Sequence, residues 1–247
     1  MVHGAFCGGW TFDRFRKPFE ALGHKVFTPD LRGHGADDRP SAVTNVSMTD
    51  YARDIAQICA GLEAAPILIG HSLGGLVAQL ASRRAKVAAL ILLAPSPPWG
   101  VTSSSVEEAV TAFGLNVLGP VWLQSVAPDR TMMRTYSLDR VDKVECERVI
   151  SLMRPESGKA LWETLNWWLD PFMTTSLGPG PLPVPCVVMV GKRDVVHTPT
   201  TGRMTASRLG ASFHEFPDMS HWLPAEAGWE EVATHALGWL ESVTAQV

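Results

Sequence analysis

A serine within a glycine-rich pentapeptide is the strongest chemical signal in the chain. Gly70-His71-Ser72-Leu73-Gly74 fits the pattern G-x-S-x-G, and it follows an apolar segment and precedes a helical one. A serine at such a strand-to-helix turn presents its hydroxyl beside the backbone N–H groups that begin the helix. The pattern predicts that Ser72 is a nucleophile; the alternative is an incidental serine in a glycine turn.

A serine hydroxyl needs a base to remove its proton, and His221 is the best candidate. It lies in a loop between the last predicted strand and the last predicted helix, and α/β sheets place their chemistry in loops at the carboxyl ends of strands. His197 is the main rival, because it follows Asp194 by three residues. The other histidines adjoin glycine turns or lie in segments predicted to face solvent. They are His3, His24, His34, His71, His214 and His235.

An acid that orients the base is expected at the end of another strand, and Asp194 directly follows the apolar segment Cys186–Gly191. Such a carboxylate holds the imidazole in the required tautomer and stabilises the imidazolium ion. Asp194 could instead cap a helix or pair with Arg193. Asp218 is a competitor, although its position three residues before His221 is more typical of a turn. No acid follows the strand predicted to end near residue 94.

The elements that must position these groups alternate along the chain. Short apolar segments between longer amphipathic ones predict an α/β fold, a mostly parallel, doubly wound sheet covered by helices on both faces. The predicted strands are Lys25–Pro29, Pro66–Gly70, Val87–Ala94, Cys186–Gly191 and Ser212–Phe216. The predicted helices are Trp10–Leu22, Met48–Leu62, Leu73–Arg84, Thr200–Leu209 and Trp229–Val243. Ser47 is predicted to cap the second helix, with Asp50 completing a capping box. His3 and Gly4 resemble a strand end, so either that strand is truncated or the native protein is longer.

The alternation stops between residues 99 and 180, where helical patterns continue without a convincing strand. We predict a core domain of residues 1–98 and 181–247 and a helical cap of residues 99–180. The cap ends in the proline- and glycine-rich segment Gly178–Pro185, whose residues 181–185 form the return to the sheet. Most aromatic residues of the cap are expected to pack internally, but some must face the cleft below. The candidate pocket residues are Phe6, Trp99, Trp122, Trp167, Trp168 and Trp222.

Composition narrows the class of protein. Of 247 residues, 46% are hydrophobic and 19% charged, with a formal net charge of −4, which is typical of a soluble globular protein. No basic cluster indicates nucleic-acid binding. The four cysteines are scattered without metal-ligand spacing, so we expect no metal and a reducing, cytoplasmic location. We expect neither a signal peptide nor a membrane span. The sequence leaves monomer and homodimer open.

The chain resembles α/β-hydrolase fold proteins, in particular the branch with bacterial carboxylesterases, plant methylesterases and hydroxynitrile lyases. Beyond the serine motif, the resemblance rests on residues 2–10 (VHGAFCGGW), residues 30–35 (DLRGHG) and the chain order serine, acid, histidine. It implies an oxyanion hole formed by the backbone N–H groups of Ala5 and Leu73, with Phe6 as the alternative to Ala5.

Three positions separate the chain from neighbouring groups of that fold. The resembling lyases have a threonine and a lysine where this chain has Gly4 and Trp222, which argues against cyanohydrin cleavage. The related dehalogenases and epoxide hydrolases have an aspartate where Ser72 stands.

The sequence therefore predicts hydrolysis of a small apolar or aromatic carboxylic ester through an acyl-enzyme on Ser72, with no cofactor. One alternative keeps the same three catalytic residues but cleaves a carbon–carbon bond, a lactone or a thioester. Another is a ligand-sensing protein that retains the fold without fast turnover.

Overall fold

Four parallel strands form the central sheet of the computed structural model, which describes residues 1–117 and 119–244. In chain order the strands are β1 (Ile67–His71), β2 (Ala89–Leu93), β3 (Ser125–Val126), β4 (Glu156–Ser157), β5 (Cys186–Gly191) and β6 (Ser212–Phe216). The helices are α1 (Arg16–Ala21), α2 (Met48–Ala60), α3 (Leu73–Ser82), α4 (Val106–Val117), α5 (Arg130–Met132), α6 (Lys143–Leu152), α7 (Gly158–Leu165), α8 (Pro199–Leu209) and α9 (Trp229–Thr244). The central sheet has the order β1-β2-β5-β6, and β3 pairs with β4 separately, in antiparallel fashion.

The strands β1, β2 and β5 are apolar at nearly every position because helices cover both faces of the sheet, whereas the edge strand β6 also carries Ser212, His214 and Glu215. Side chains such as Leu90 and Val188 pack with α2, α3 and α8 on one face. Their neighbours Ile91 and Met189 pack with α1 and α9 on the other face. Since successive side chains of a strand point to opposite faces, a sheet covered on both sides needs runs without alternation. The predicted doubly wound parallel sheet is confirmed.

The predicted strand Lys25–Pro29 is wrong, because the structure has no strand there. A strand needs a ladder of backbone partners. Among the described residues, the backbone of this segment receives one bond, from the N-terminal ammonium of Met1 to Phe27 O at 2.5 Å. Val2 instead forms an isolated parallel bridge with Gly70 at the free edge of β1.

The predicted helix Trp10–Leu22 is also too long. The chain forms a 3₁₀ turn over Gly9–Phe12 and then begins α1 at Arg16. Pro18 has no N–H to donate, so it fits only within the first turn of a helix. The helix therefore starts two residues before this proline.

The start of α2 joins the central fold to the segment between β2 and β5. Asp50 accepts from Ser47 N at 3.0 Å and Ser47 Oγ accepts from Thr49 N at 3.2 Å, so the predicted capping box is present. Glu163 of α7 adds its carboxylate at this helix end, where Met48 N donates to it at 2.8 Å. A negative charge at a helix N-terminus is favoured by the helix dipole.

Residues 99–180 are mainly helical, as expected, but they also contain the short β3–β4 pair, which the sequence did not indicate. The division into a core of 1–98 with 181–247 and a cap of 99–180 stays a prediction, and residues 245–247 lie outside the described part. We use the name cap for residues 99–180 below. Within residues 1–117 and 119–244, no helix has both the length and the apolar composition needed to cross a bilayer.

Candidate active site

Ser72 occupies a strained turn between β1 and α3. Its backbone has φ 52° and ψ −124°, in the left-handed region that non-glycine residues seldom adopt. The turn fits only because its neighbours lack a Cβ: one on Gly70 would lie 2.5 Å from Gly74 O, and one on Gly74 would lie 2.2 Å from His3 O. The two glycines of the serine motif thus allow the turn that raises the hydroxyl above the sheet.

Two further side chains form a relay with this hydroxyl. His221 Nε2 lies 3.1 Å from Ser72 Oγ, and His221 Nδ1 lies 2.9 Å from Asp194 Oδ2. The other oxygen of Asp194 accepts from the backbone N–H groups of Val196 at 2.8 Å and His197 at 2.9 Å. With both oxygens engaged, the carboxylate is fixed so that it accepts the Nδ1 proton of the histidine. Nε2 is then left as the acceptor for the serine proton.

His71 supports the loop that carries the histidine. Its Nε2 donates to His221 O at 2.9 Å, and its ring centroid lies 5.1 Å from that of His221. Burial, reinforced by the nearby His221, lowers the pKa of His71 well below its ordinary value. A neutral imidazole is therefore buried here as a structural donor.

The alternative base His197 and the alternative acid Asp218 lie outside this relay. His197 Nε2 lies 3.0 Å from Ser96 Oγ, not from the hydroxyl of Ser72. Asp218 is exposed and pairs with Arg193 at 2.8 Å. Within the described structure, neither residue hydrogen-bonds to the hydroxyl of Ser72 or to the imidazole of His221.

Backbone N–H donors flank Ser72. In the described structure, neither Ala5 N–H nor Leu73 N–H has a protein acceptor, and both residues line the same cavity as Ser72. Leu73 begins α3, and the first N–H groups of a helix have no partner within the helix. By contrast, Phe6 N–H points to Glu156 Oε2 at 3.4 Å. This geometry favours Ala5 over Phe6 as an oxyanion donor.

A buried carboxylate of β4 holds the loop that contains Ala5. Glu156 accepts from Tyr51 OH at 2.6 Å and lies 3.2 Å from His34 Nε2, with both side chains of that pair fully buried. Burial alone would raise the pKa of Glu156, but the charge of His34 and the hydrogen bonds keep it below the ordinary value. Next to this contact, Arg154 N donates to Phe6 O at 2.9 Å. The loop is thus bound to the cap through both backbone groups of Phe6.

A mostly apolar cavity of about 240 Å³ opens above Ser72 and His221. The core contributes the 4–7 loop and the helix start at Leu73. The cap contributes a wall of apolar side chains: Leu115, Val126, Met132, Met133, Leu161 and Leu165. Ligand pockets of drug-sized molecules begin at about 300 Å³. The space therefore suits a small apolar ligand.

The chain matches the Alpha/beta hydrolase family over residues 1–235. It belongs to this family.

Parts of this hydrolase-family chain are similar to curated relatives. It is 37% identical over 109 residues to Salicylic acid-binding protein 2 from Nicotiana tabacum, which covers 42% of each protein. It is 41% identical over 95 residues to Pyrethroid hydrolase from Sphingobium wenxiniae, which covers 38% of this chain and 34% of that protein. It is 26% identical to Methylesterase 1 from Arabidopsis thaliana over 64% of this chain and 65% of that protein. Each alignment thus spans less than two thirds of the relative.

Solved structures share the fold over nearly the whole chain. A thermophilic esterase from Thermogutta terrifontis superposes with a TM-score of 0.73 at 25% identity, over 98% of this chain and 88% of that one. A methylesterase from Arabidopsis superposes with a TM-score of 0.71 at 20% identity, over 100% of this chain and 98% of that one.

The predicted pocket residues of this α/β-hydrolase divide into two groups. Phe6 and Trp222 line the cavity. The cap tryptophans Trp99, Trp122, Trp167 and Trp168 are not on its wall in the described part of the chain. Trp99 and Trp167 pack edge to face with ring centroids 5.3 Å apart, and the other two are exposed. The interpretation of these four residues as pocket residues is corrected accordingly.

Aliphatic and polar residues of the cap occupy the wall instead. Glu108, Thr111 and Leu115 line the cavity from α4, and Leu161 and Leu165 line it from α7. These positions are three or four residues apart, so each set shares one face of its helix. That spacing is visible in the sequence and could have identified the two helix faces, although not which of them turns toward Ser72.

Proposed function

We propose that this chain hydrolyses small, mainly apolar carboxylic esters through an acyl-enzyme on Ser72. The proposal depends on one observation above all, the relay from Ser72 Oγ to His221 Nε2 at 3.1 Å and from His221 Nδ1 to Asp194 Oδ2 at 2.9 Å. The relatives named as an esterase, a pyrethroid hydrolase and a methylesterase support this class of reaction.

In the proposed mechanism, His221 accepts the proton of Ser72 as the hydroxyl oxygen attacks the ester carbonyl. The carbonyl oxygen becomes negatively charged and accepts hydrogen bonds from Ala5 N–H and Leu73 N–H. His221 then gives the proton to the leaving alcohol, and the carbonyl bond re-forms as the ester bond breaks. Water, deprotonated by the same imidazole, attacks the acyl-enzyme and releases the acid and Ser72.

The cavity indicates the size of the substrate. Its volume of about 240 Å³ and its apolar cap wall favour short or branched acyl and alcohol groups over long chains. We expect hydrolysis of p-nitrophenyl esters to be fastest for short acyl chains and to decline once the chain outgrows the cavity.

The test is a p-nitrophenyl ester series with purified protein and three forms of the enzyme. Ser72→Ala should lower kcat by about 10⁴-fold or more, because no other group can form the acyl-enzyme. Ser82→Ala is the matched control: Ser82 is also a buried serine, but its hydroxyl donates to Gln79 O within α3. A serine-directed phosphonate should add one covalent mass to a peptide containing Ser72. Hydrolysis that persists in Ser72→Ala would refute the mechanism.

We further propose a cytoplasmic location. The four cysteines are buried and free within the described structure, as in proteins of a reducing compartment. Fractionation of the native host, with detection of the chain outside the cytoplasm, would contradict this.

A further inference from the structure

A second group of polar side chains lies on the cavity wall beside the relay. Ser96, His197 and Glu108 all line the cavity, and they belong to the loop after β2, the loop after β5 and helix α4. Ser96 Oγ lies 3.0 Å from His197 Nε2, and His197 Nδ1 lies 2.7 Å from Glu108 Oε1. The proposed mechanism uses none of these three side chains.

The group lies next to the reacting atoms. The ring centroids of His197 and His221 are 5.2 Å apart, and the backbone N–H of Ser96 donates to Ser72 O at 3.0 Å. The side chains of His197 and Glu108 are 5% and 8% exposed. Burying an ion pair costs solvation free energy that the mutual attraction barely offsets. In an apolar pocket, a few such polar groups typically fix the orientation of a ligand.

The hydrogen-bonding directions define what the group can bind. A carboxylate only accepts, so the charge of Glu108, with Oε1 2.7 Å from His197 Nδ1, favours the forms of the imidazole that carry a proton on Nδ1. Burial lowers the pKa of His197, but the charge of Glu108 outweighs it and the net pKa is raised. In the protonated imidazole, Nε2 also carries a proton and donates it to Ser96 Oγ. The hydroxyl of Ser96 then has its own hydrogen free to donate into the cavity.

We propose that Ser96, oriented by His197 and Glu108, is a subsite that donates a hydrogen bond to an acceptor atom of the ester near its scissile carbonyl. The ligand class is a small ester that carries a ketone, ether or second carbonyl oxygen on its acyl or alcohol part. This inference rests on the proposed esterase function and adds a substrate class to it. In it, Ser96 contacts substrate, whereas His197 and Glu108 are positioning residues.

The experiment compares substrates of equal shape that differ in the acceptor. The acyl pair is ethyl 3-oxobutanoate and ethyl 3-methylbutanoate; the alcohol pair is 2-oxopropyl butanoate and 2-methylpropyl butanoate. For each pair, proton release in a pH-stat gives the ratio of kcat/KM for the oxo ester to that for its alkyl analogue. The intrinsic reactivity of the oxo ester contributes equally in every variant. The ratio is also independent of the fraction of folded enzyme.

Ser96→Ala should lower this ratio about fivefold or more in at least one pair, as expected for the loss of one hydrogen bond. Glu108→Gln should lower the same ratio, because a neutral His197 accepts the hydroxyl proton of Ser96 and removes it from the cavity. Ser82→Ala should keep the wild-type ratio in both pairs.

The possible results distinguish a failure of the subsite proposal from a failure of the proposed function. Ratios unchanged in Ser96→Ala and Glu108→Gln, with hydrolysis still dependent on Ser72, would overturn the subsite and leave the proposed function intact. A ratio lowered by Ser96→Ala but not by Glu108→Gln would overturn the role of the ion pair. If no ester is hydrolysed in a reaction that depends on Ser72, the proposed function and the subsite are both overturned.

Discussion

Replacing Asp194 by asparagine should almost abolish catalysis while leaving the fold in place. The carboxylate has two different tasks: Oδ1 accepts from two backbone N–H groups, at 2.8 and 2.9 Å, and Oδ2 faces His221 Nδ1 at 2.9 Å. An amide has only one oxygen. If that oxygen stays with the two N–H groups, the NH₂ group of the asparagine faces the imidazole and donates to Nδ1.

The imidazole must then carry its proton on Nε2, the atom that faces Ser72, and it cannot accept the serine proton. Turning the amide round would restore the productive tautomer but would leave the N–H groups of Val196 and His197 without an acceptor. Each buried unsatisfied donor costs about 1–3 kcal/mol, so the turned amide lies about 2–6 kcal/mol higher. The productive form is thus about 30-fold to 2 × 10⁴-fold rarer, and kcat should fall by that factor.

The assay is the initial rate with a short p-nitrophenyl ester, and circular dichroism verifies that the variant is folded. Asp218→Asn is the matched control, because this exposed acid pairs with Arg193, away from the relay, and the variant should retain wild-type activity. A folded Asp194→Asn enzyme with more than about a tenth of wild-type kcat would refute the tautomer argument.

Two other carboxylates give further predictions. Glu156→Gln replaces one carboxylate oxygen by an NH₂ group, which then faces either Phe6 N–H and His34 or the donors that contact the other oxygen. We expect kcat to fall about tenfold, less than the 10²–10³-fold loss that is typical when an oxyanion donor is removed. An unchanged kcat at an unchanged melting temperature would contradict this prediction. Burial raises the pKa of Glu226 from 4.5 to about 7, so wild-type stability should fall as pH rises between these values. Glu226→Gln keeps an oxygen that accepts from Ser220 N–H but carries no charge. The substitution should raise the free energy of unfolding by about 2–3 kcal/mol near pH 8 and change it little at acid pH. Urea titrations of both proteins at the two pH values would reveal or disprove this difference.

The sequence predicted the turn at Ser72 well because local rules dominate there. A turn of this kind needs small residues at fixed positions, and the glycines at positions 70 and 74 can be recognised in the sequence. Buried parallel strands need continuous apolar runs, so Cys186–Gly191 was predicted at its observed bounds. The edge strand Ser212–Phe216 was also predicted at its observed bounds, although it contains three polar residues and is mostly not buried. At Lys25–Pro29 the same apolar signal failed, because strand formation also depends on a partner elsewhere in the chain.

The cap was predicted less well because tertiary contacts decide which side of it faces the cavity. The buried carboxylates Glu156 and Glu163 dock the cap on α2, yet in the sequence they are indistinguishable from surface charges. With that docking unknown, the abundance of tryptophan was the strongest available signal for a pocket, but the four cap tryptophans lie off the cavity wall, two packed against each other and two exposed. The polar set around His197 was missed for the same reason, since its partner Glu108 comes from the cap.

The attachment of Phe6 has a consequence for how a substrate enters. Arg154 N–H holds the Phe6 carbonyl and Glu156 receives the Phe6 N–H, so any lifting of residues 154–156 to admit an ester also releases the peptide next to Ala5. The proposed oxyanion donor, Ala5 N–H, would therefore be held in place only while residues 154–156 lie against this loop.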